Sequence, residues 1–410
     1  MRRILLLTLV LSTLAAAALE MNGMARHYTA LRLKEDPDFA ILQNTFKLSF
    51  HNKNDKGGFN VDLYAYQYGK DLSPELNLQQ LYVDLYFSKF DLRLGRQQII
   101  WGKADGVFIT DVVSPKDLRE FLLPDFAEIR QGIDAFTGTF YAGNHLFSLV
   151  LSPAFRPTIQ PQKGSIWQPA MDFPPVKIKI DSASAEVPLT LQNSEAFFRW
   201  SAMLSAVDFE LVGATMLDDD PALHLTKYAH PEGSRMMIDS ILVSPRHHRI
   251  GMGGGSFSTT IKGIVAKGEA GYYTQKKFRS SNPQIRDGIT KGDYLHYMAG
   301  LSYTLAGVDF QGQFIQKVLL DHDHFYLEKQ FQNMMTVIVH KSLLRETLHL
   351  DLLSYIGLTN KDALIRPSVA YDIADGLKAT VGANVFIGDS GYFGQFNAND
   401  MAYFKLSYSF

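Results

Sequence analysis

The chain has 410 residues, a formal net charge of −2 and no cysteine. These facts exclude disulfides, thiolate metal sites, a cysteine nucleophile and a lipid-modified N-terminal cysteine. The near-neutral balance and the lack of a basic tail leave no electrostatic case for nucleic acid as a partner.

In chain order, the first feature is an export signal. Arg2 and Arg3 precede an apolar run over residues 4–14, and residues 15–18 are small alanines suited to cleavage. The pattern predicts a signal peptide over 1–18 and a single mature domain over 19–410. The apolar run is too short to cross ~30 Å of hydrocarbon as a helix, and no later stretch is long enough either. An exported chain without a membrane helix can still cross a bilayer as a closed barrel, where every backbone group is paired.

Strand periodicity follows. Phe59, Val61, Leu63 and Ala65 alternate with Asn60, Asp62, Tyr64 and Tyr66. Leu81, Val83, Leu85 and Phe87 alternate with Gln80, Tyr82, Asp84 and Tyr86. Leu295, Tyr297, Ala299, Leu301, Tyr303 and Leu305 oppose His296, Met298, Gly300, Ser302 and Thr304. Residues 377–387 repeat the pattern. Such runs have about the 9–11 residues that a tilted strand needs to span the membrane. Apolar faces would meet lipid and polar faces a wet lumen.

Tight turns at 88–89, 142–144, 306–307, 344–345 and 374–376 alternate with longer connections. The long ones cover 102–129, 152–193, 218–247, 275–292, 320–329 and 388–400. Short turns at one end and long loops at the other predict an antiparallel up-and-down transmembrane barrel with both termini in the periplasm. The parse yields about 18 strands, with about 16 as the alternative, starting from a poorly formed strand near 27–33. Residues 236–243 break the alternation and read as a hairpin arm above the membrane. Residues 152–193, rich in proline, read as a surface loop.

The last strand carries an outward stripe of Phe404, Leu406, Tyr408 and Phe410. It resembles the assembly signal of outer-membrane proteins, which implies the barrel-insertion machinery as a biogenesis partner and outer-membrane lipid as the surroundings.

The segment around 102–129 stands apart. Alternation stops after Trp101 and charge density rises. Ser114, Pro115 and Asp117 read as a helix start. A charged segment between two strands can fold into the lumen and ring the pore with paired charges. The residues expected to line such a constriction are Arg93, Arg96, Lys103, Asp105, Asp111, Lys116, Arg119, Arg130 and Asp134. The run from Gly95 through Trp101-Gly102 to Ser114-Pro115-Lys116-Asp117 and Arg119-Glu120-Phe121 resembles a poorly characterised family of proteobacterial porin-like outer-membrane barrels. Its members are associated with export of lipids or hydrophobic compounds, and the resemblance implies no catalytic residues.

Other motifs carry less. Gly251–Gly255 lacks the Lys-Ser/Thr of a phosphate loop and reads as a strand bend. His247-His248 point to opposite faces, and His322, His324 and Asp218–Asp220 read as solvated loop groups, so no metal site is expected. No nucleophile elbow or triad spacing appears, so no enzyme activity and no cofactor are expected. The functional expectation is a channel for small solutes. The alternatives are a transporter of hydrophobic compounds or lipids, or a sheath for a periplasmic partner such as a multihaem cytochrome. Oligomeric state is left open.

Overall fold

A computed structural model describes residues 19–34, 38–69, 73–169, 176–232 and 235–410. The expected signal peptide lies outside the described residues. The first seven strands are β1 (Glu20–Arg32), β2 (Phe39–Asn54), β3 (Gly57–Tyr68), β4 (Ser73–Tyr86), β5 (Phe90–Gln97), β6 (Ile133–Ala142) and β7 (His145–Ser152). Next come β8 (Lys177–Ile180), β9 (Glu195–Met203), β10 (Asp208–Leu217), β11 (Ala222–Glu232), β12 (Arg235–Arg246), β13 (Arg249–Ile261) and β14 (Ile264–Arg279). The chain finishes with β15 (Ile289–Leu305), β16 (Val308–Leu319), β17 (Phe331–Leu343), β18 (Leu348–Gly357), β19 (Asp362–Ala374), β20 (Leu377–Ile387) and β21 (Met401–Ser409).

Among the described residues, 18 of these strands form one sheet, and β8, β11 and β12 form a second, three-stranded one. Each barrel strand pairs antiparallel with its neighbours. The sheet closes where β1 meets β21, from Met24 opposite Ser409 to Arg32 opposite Met401. Closure leaves no edge exposed to lipid, which is what makes a spanning sheet tolerable. An even strand number brings both ends of the barrel to the side of the short turns.

The alternation seen in sequence becomes two surfaces. Along β15, Leu301 and Leu305 are 60% and 57% exposed on the outside, whereas Met298, of the opposite parity, is 3% exposed inside. The outward stripe of β21 is likewise half-exposed at Phe404, Leu406, Tyr408 and Phe410. Phe410 and Gly23 exchange both backbone hydrogen bonds, and a Cβ on Gly23 would lie 2.2 Å from the Phe410 ring. Gly23 thus makes room for the terminal aromatic at the seam. Removing Phe410 deletes that clamp and the end of the aromatic stripe. The yield of heat-modifiable, membrane-assembled protein should fall several-fold while total synthesis is unchanged, as read on unboiled against boiled gels.

Three expectations need correction. The first strand is not poorly formed near 27–33. It spans Glu20–Arg32 and is paired on both sides, so the ladder enforces what its own irregular pattern hid. No helix starts at Ser114. The Ser114 hydroxyl accepts from the Ile99 N–H, while Lys116 and Asp117 bridge to Arg130 and Ile159, which takes up the backbone groups a helix would need. A single helical turn forms instead at Phe126–Ile129. Residues 152–193 are more than a surface loop: Trp167 is buried against the lumen insert and β8 pairs with β12. The hairpin arm expected at 236–243 is β12, paired with β11.

Candidate functional site: a lumen insert and its constriction

The connection between β5 and β6, residues 98–132, folds into the barrel and touches opposite walls. On one side Trp101, Val112 and Val113 pack with Phe197, Val212, Met252 and Tyr273. On another Ile109 meets Met298 and Ile315. On the far side Phe121, Leu122, Leu123 and Ile129 join Tyr28, Tyr355, Leu364, Phe386 and Tyr403. These wall residues occupy the inward positions of their strands, so the lumen wall is greasy just where the insert lands.

Polar tethers fix the register. Glu269 on β14 is 4% exposed, and its carboxylate accepts from the backbone N–H of Lys103 (2.5 Å), Ala104 (2.8 Å) and Thr110 (2.6 Å). The Thr110 hydroxyl donates to it as well, at 2.8 Å. Gly102 sits at φ +87°, and a Cβ there would be 2.5 Å from Glu269 Oε1. Only glycine lets the backbone come this close in that conformation. Asp105 is held by Lys267 and Gln311, and Gln313 bonds its main chain on both sides.

At the other end Arg366 on β19 donates one N–H each to the Leu122 and Leu123 carbonyls, at 2.8 Å. Just before them Phe121 adopts φ +55°, a strained region for a bulky side chain. Its ring packs in a nest of Trp167, Tyr392 and Phe396, with centroids at 6.2, 5.1 and 4.8 Å, and this packing offsets the backbone strain. Inside the insert Asp111 and Arg130 form a buried pair at 2.6 Å.

Space remains beside the β1–β3 and β21 wall. A vestibule of about 730 Å³ lies against Ile41, Tyr68, Glu75, Arg119, Glu120 and Trp167. Beside it is a smaller cavity of about 40 Å³ bounded by Arg26, Tyr68, Arg119, Glu120, Glu128 and Lys405. Tyr68, Arg119 and Glu120 line both, so the two adjoin. Arg26 is bound by both oxygens of Glu128, at 2.9 and 2.8 Å. Arg119 is held by Asp117 and Glu75. Lys405 lies over the Tyr28 and Tyr403 rings, 4.5 and 5.4 Å from their centroids. Tyr64, Tyr66 and Tyr68 stack in a row along the inner face of β3.

The expected constriction residues divide. Arg119 lines the narrow cavity. Arg93 is on the lumen wall nearer the periplasmic end, paired with Asp84 at 2.7 Å. Lys103 and Asp105 lie along the Glu269 side of the insert, and Lys116 is over the Phe108 ring. Asp111 and Arg130 satisfy each other inside the insert rather than facing the water path. Arg96 and Asp134 pair with each other at 2.8 Å, but on the outer surface. They share the ladder face of Leu94 and Phe136, and Phe136 is 56% exposed outside. Arg26, Glu120, Glu128 and Lys405 were not anticipated as constriction residues. Arg26 and Lys405 are single charges on inward strand positions, with no local motif to mark them.

Burial inside the lumen pushes the Glu120 carboxyl up to about 7, against the pull of Arg26. Its folded value stands above the unfolded one of about 4.3. The ionised form is therefore the disfavoured one in the seated insert: the penalty is absent below about pH 4 and complete above about pH 7. Charging Glu120 adds a negative group to this small cavity. Cation over anion selectivity should climb as pH rises from 5 to 8, and Glu120→Gln should flatten the climb. A reversal potential in a salt gradient measures it; an identical profile in both proteins refutes the role of Glu120.

No family model matches this chain, and no curated protein matches it. Solved structures match it nearly end to end. OccK8 (OprE) of Pseudomonas aeruginosa aligns with a TM-score of 0.56 at 9% identity, covering 96% of this chain and 97% of that one. OccAB1 of Acinetobacter baumannii aligns at 0.55 and 8% identity, covering 97% and 98%. OccK2 (OpdF) of P. aeruginosa, solved with glucuronate, aligns at 0.55 and 9%, covering 96% and 97%.

The fold is that of a porin-like outer-membrane β-barrel. At such identities the likeness concerns architecture alone, and that architecture implies the outer membrane.

Proposed function

We propose that the protein is an outer-membrane channel for small hydrophilic solutes, with residues 98–132 as its selectivity element. The observation that carries this reading is the vestibule that adjoins a smaller, charge-lined cavity between the insert and the β1–β3 wall. Preorganised charges in a narrow, poorly hydrated gap act on a passing solute far more strongly than the same charges in bulk water. Arg26 and Arg119 are neutralised by their carboxylates, and among the described residues Lys405 and Glu120 have no ion-pair partner at the neck. Such a neck discriminates by charge as well as size.

The insert is built from the motifs that resemble the proteobacterial porin-like family, so we take that resemblance to be one of insert architecture. Residues 1–18 serve as the leader in this reading. The stripe of β21 is read by the insertion machinery, and lipid covers the outward face. Reconstitution into a planar bilayer tests the function. Discrete current steps from heat-modifiable protein support a channel; a folded barrel that passes no current at any voltage refutes it.

A further inference from the structure

The inner face of β17–β19 carries a histidine cluster near the short turns, away from the neck. On β17, His340 and Ser342 share the parity of the buried Thr336. On β18, His349 and Asp351 share that of the buried Tyr355, and on β19 Asp372 shares that of the buried Leu364. All five side chains therefore face the lumen, beside the turns at 344–347 and 375–376. In the ladder His340 lies opposite Asp351 and Ser342 opposite His349. Register alone brings together two imidazoles that no sequence motif marks.

Their hydrogen bonds form one chain. His340 Nδ1 bonds Asp351 at 2.6 Å, and its Nε2 bonds the Ser342 hydroxyl at 3.1 Å. From the other side His349 Nδ1 bonds the same hydroxyl at 3.1 Å, and its Nε2 bonds Asp372 at 3.0 Å. The two ring centroids are 5.9 Å apart.

Counting protons shows what the chain lacks. An ionised carboxylate only accepts, so each imidazole gives its ring N–H outward to its aspartate. Both inner nitrogens are then acceptors. The Ser342 hydroxyl has one proton and can serve only one of them. The other lone pair faces the hydroxyl oxygen with no proton between them. Imidazoles that converge on one point, each oriented by a carboxylate on its far nitrogen, are the usual ligands of a transition metal ion. The surroundings favour a cation too. Asp309 on β16 lies opposite His340 on the same face, giving three carboxylates against the one ammonium of Lys378, which pairs with Asp372 at 3.2 Å.

We propose that His340 Nε2 and His349 Nδ1 bind a divalent transition metal ion of the zinc or copper type at the periplasmic mouth of the lumen, with the Ser342 hydroxyl turned aside. Metal–nitrogen bonds of about 2.0–2.1 Å require each ring to draw in by about 1 Å from its contact with that hydroxyl, a shift open to partly exposed side chains. Among the described residues no three His, Asp or Glu side chains converge on one point. Water therefore completes the shell, and the ion exchanges readily. The site is separate from the neck of the channel, and its occupancy is measurable whether or not the pore conducts.

The test titrates Zn²⁺ into tag-free full-length protein in detergent at pH 7.5, with binding read by calorimetry. The expected result is a saturable site that Mg²⁺ in about hundredfold excess does not displace, because imidazole suits zinc and copper rather than magnesium. His340→Gln and His349→Gln each remove one nitrogen and should lose at least about tenfold in Zn²⁺ affinity. His224→Gln breaks the other facing imidazole pair, His224 and His248 at 2.8 Å, and should leave this site unchanged. Cu²⁺ in the same site should show two coordinating nitrogens by electron paramagnetic resonance, and one in either variant. Absence of saturable Zn²⁺ binding, displacement by Mg²⁺, loss of the site in His224→Gln, or wild-type binding in His340→Gln and His349→Gln would each overturn the proposal. If one histidine variant does not fold, the other and the Mg²⁺ competition decide.

Discussion

A barrel lacking residues 106–121 should pass at least about threefold more current per channel than the full chain. Those residues contain Ile109, Asp111, Val112, Val113, Arg119, Glu120 and Phe121. Their loss removes the Ile109 contact to Met298 and Ile315 and, with Asp117 and Glu120, part of the acidic lining of the neck at once. The sheet itself is intact, because β5 and β6 pair with each other along Phe90–Gln97 without help from the insert. A short flexible linker in place of the segment lets the remaining ends stay apart. Single-channel recording on heat-modifiable protein gives the measurement, and a step size equal to that of the full chain would remove the insert from the role assigned to it. The same deletion should blunt charge selectivity, since Glu120 and Arg119 leave with it.

Glu269→Ala should free the insert without shortening it. The carboxylate is the common acceptor for three backbone N–H groups and one hydroxyl of the insert. Hydrogen bonds to a charged group are worth about 1.5–3 kcal/mol each. They are not additive, and water in a barrel lumen resolvates part of what is lost. A net weakening of the seated state by about 3 kcal/mol is the order expected. That corresponds to roughly a hundredfold larger unseated population. Lys103, Lys116 and Arg119 then come within reach of trypsin in a barrel whose sheet remains folded. Cleavage between β5 and β6 should speed up strongly, and the open-channel current should become noisy. Wild-type cleavage rates together with quiet current would show that Glu269 does not hold the insert. Gly102→Ala should act in the same direction, because the added carbon meets the Glu269 carboxylate and the backbone conformation is left-handed.

The two variants also mark where sequence reading stops. The spanning strands could be read because side-chain period 2 is a local property: Leu295 to Leu305 show it without knowledge of any neighbour. The lumen insert could be read as a break in that period with a surge of charge. Within it, the direction of single residues was harder. Arg96 and Asp134 were expected inside, yet Arg96 is two positions from Leu94 and Asp134 two from Phe136. That parity alone places both on the outer face. Asp111 and Arg130 were expected to face water, but the chain folds back so that these two residues, 19 positions apart, neutralise each other. Glu269, Arg366, Arg26 and Lys405 had no signal at all, each being one charge among many at inward positions.

The sequence by itself determined the barrel: export, an outward greasy stripe, an inward polar stripe, alternating short and long connections, and a terminal aromatic strand. All of these depend on chemistry between residues within one strand or one turn. Only the tertiary structure decided which walls the insert seats on and that Glu269 and Arg366 are the groups that tether it there. Those depend on residues more than a hundred positions apart meeting across a closed sheet, and closure sets that pairing through the register of all the strands together rather than through any one of them.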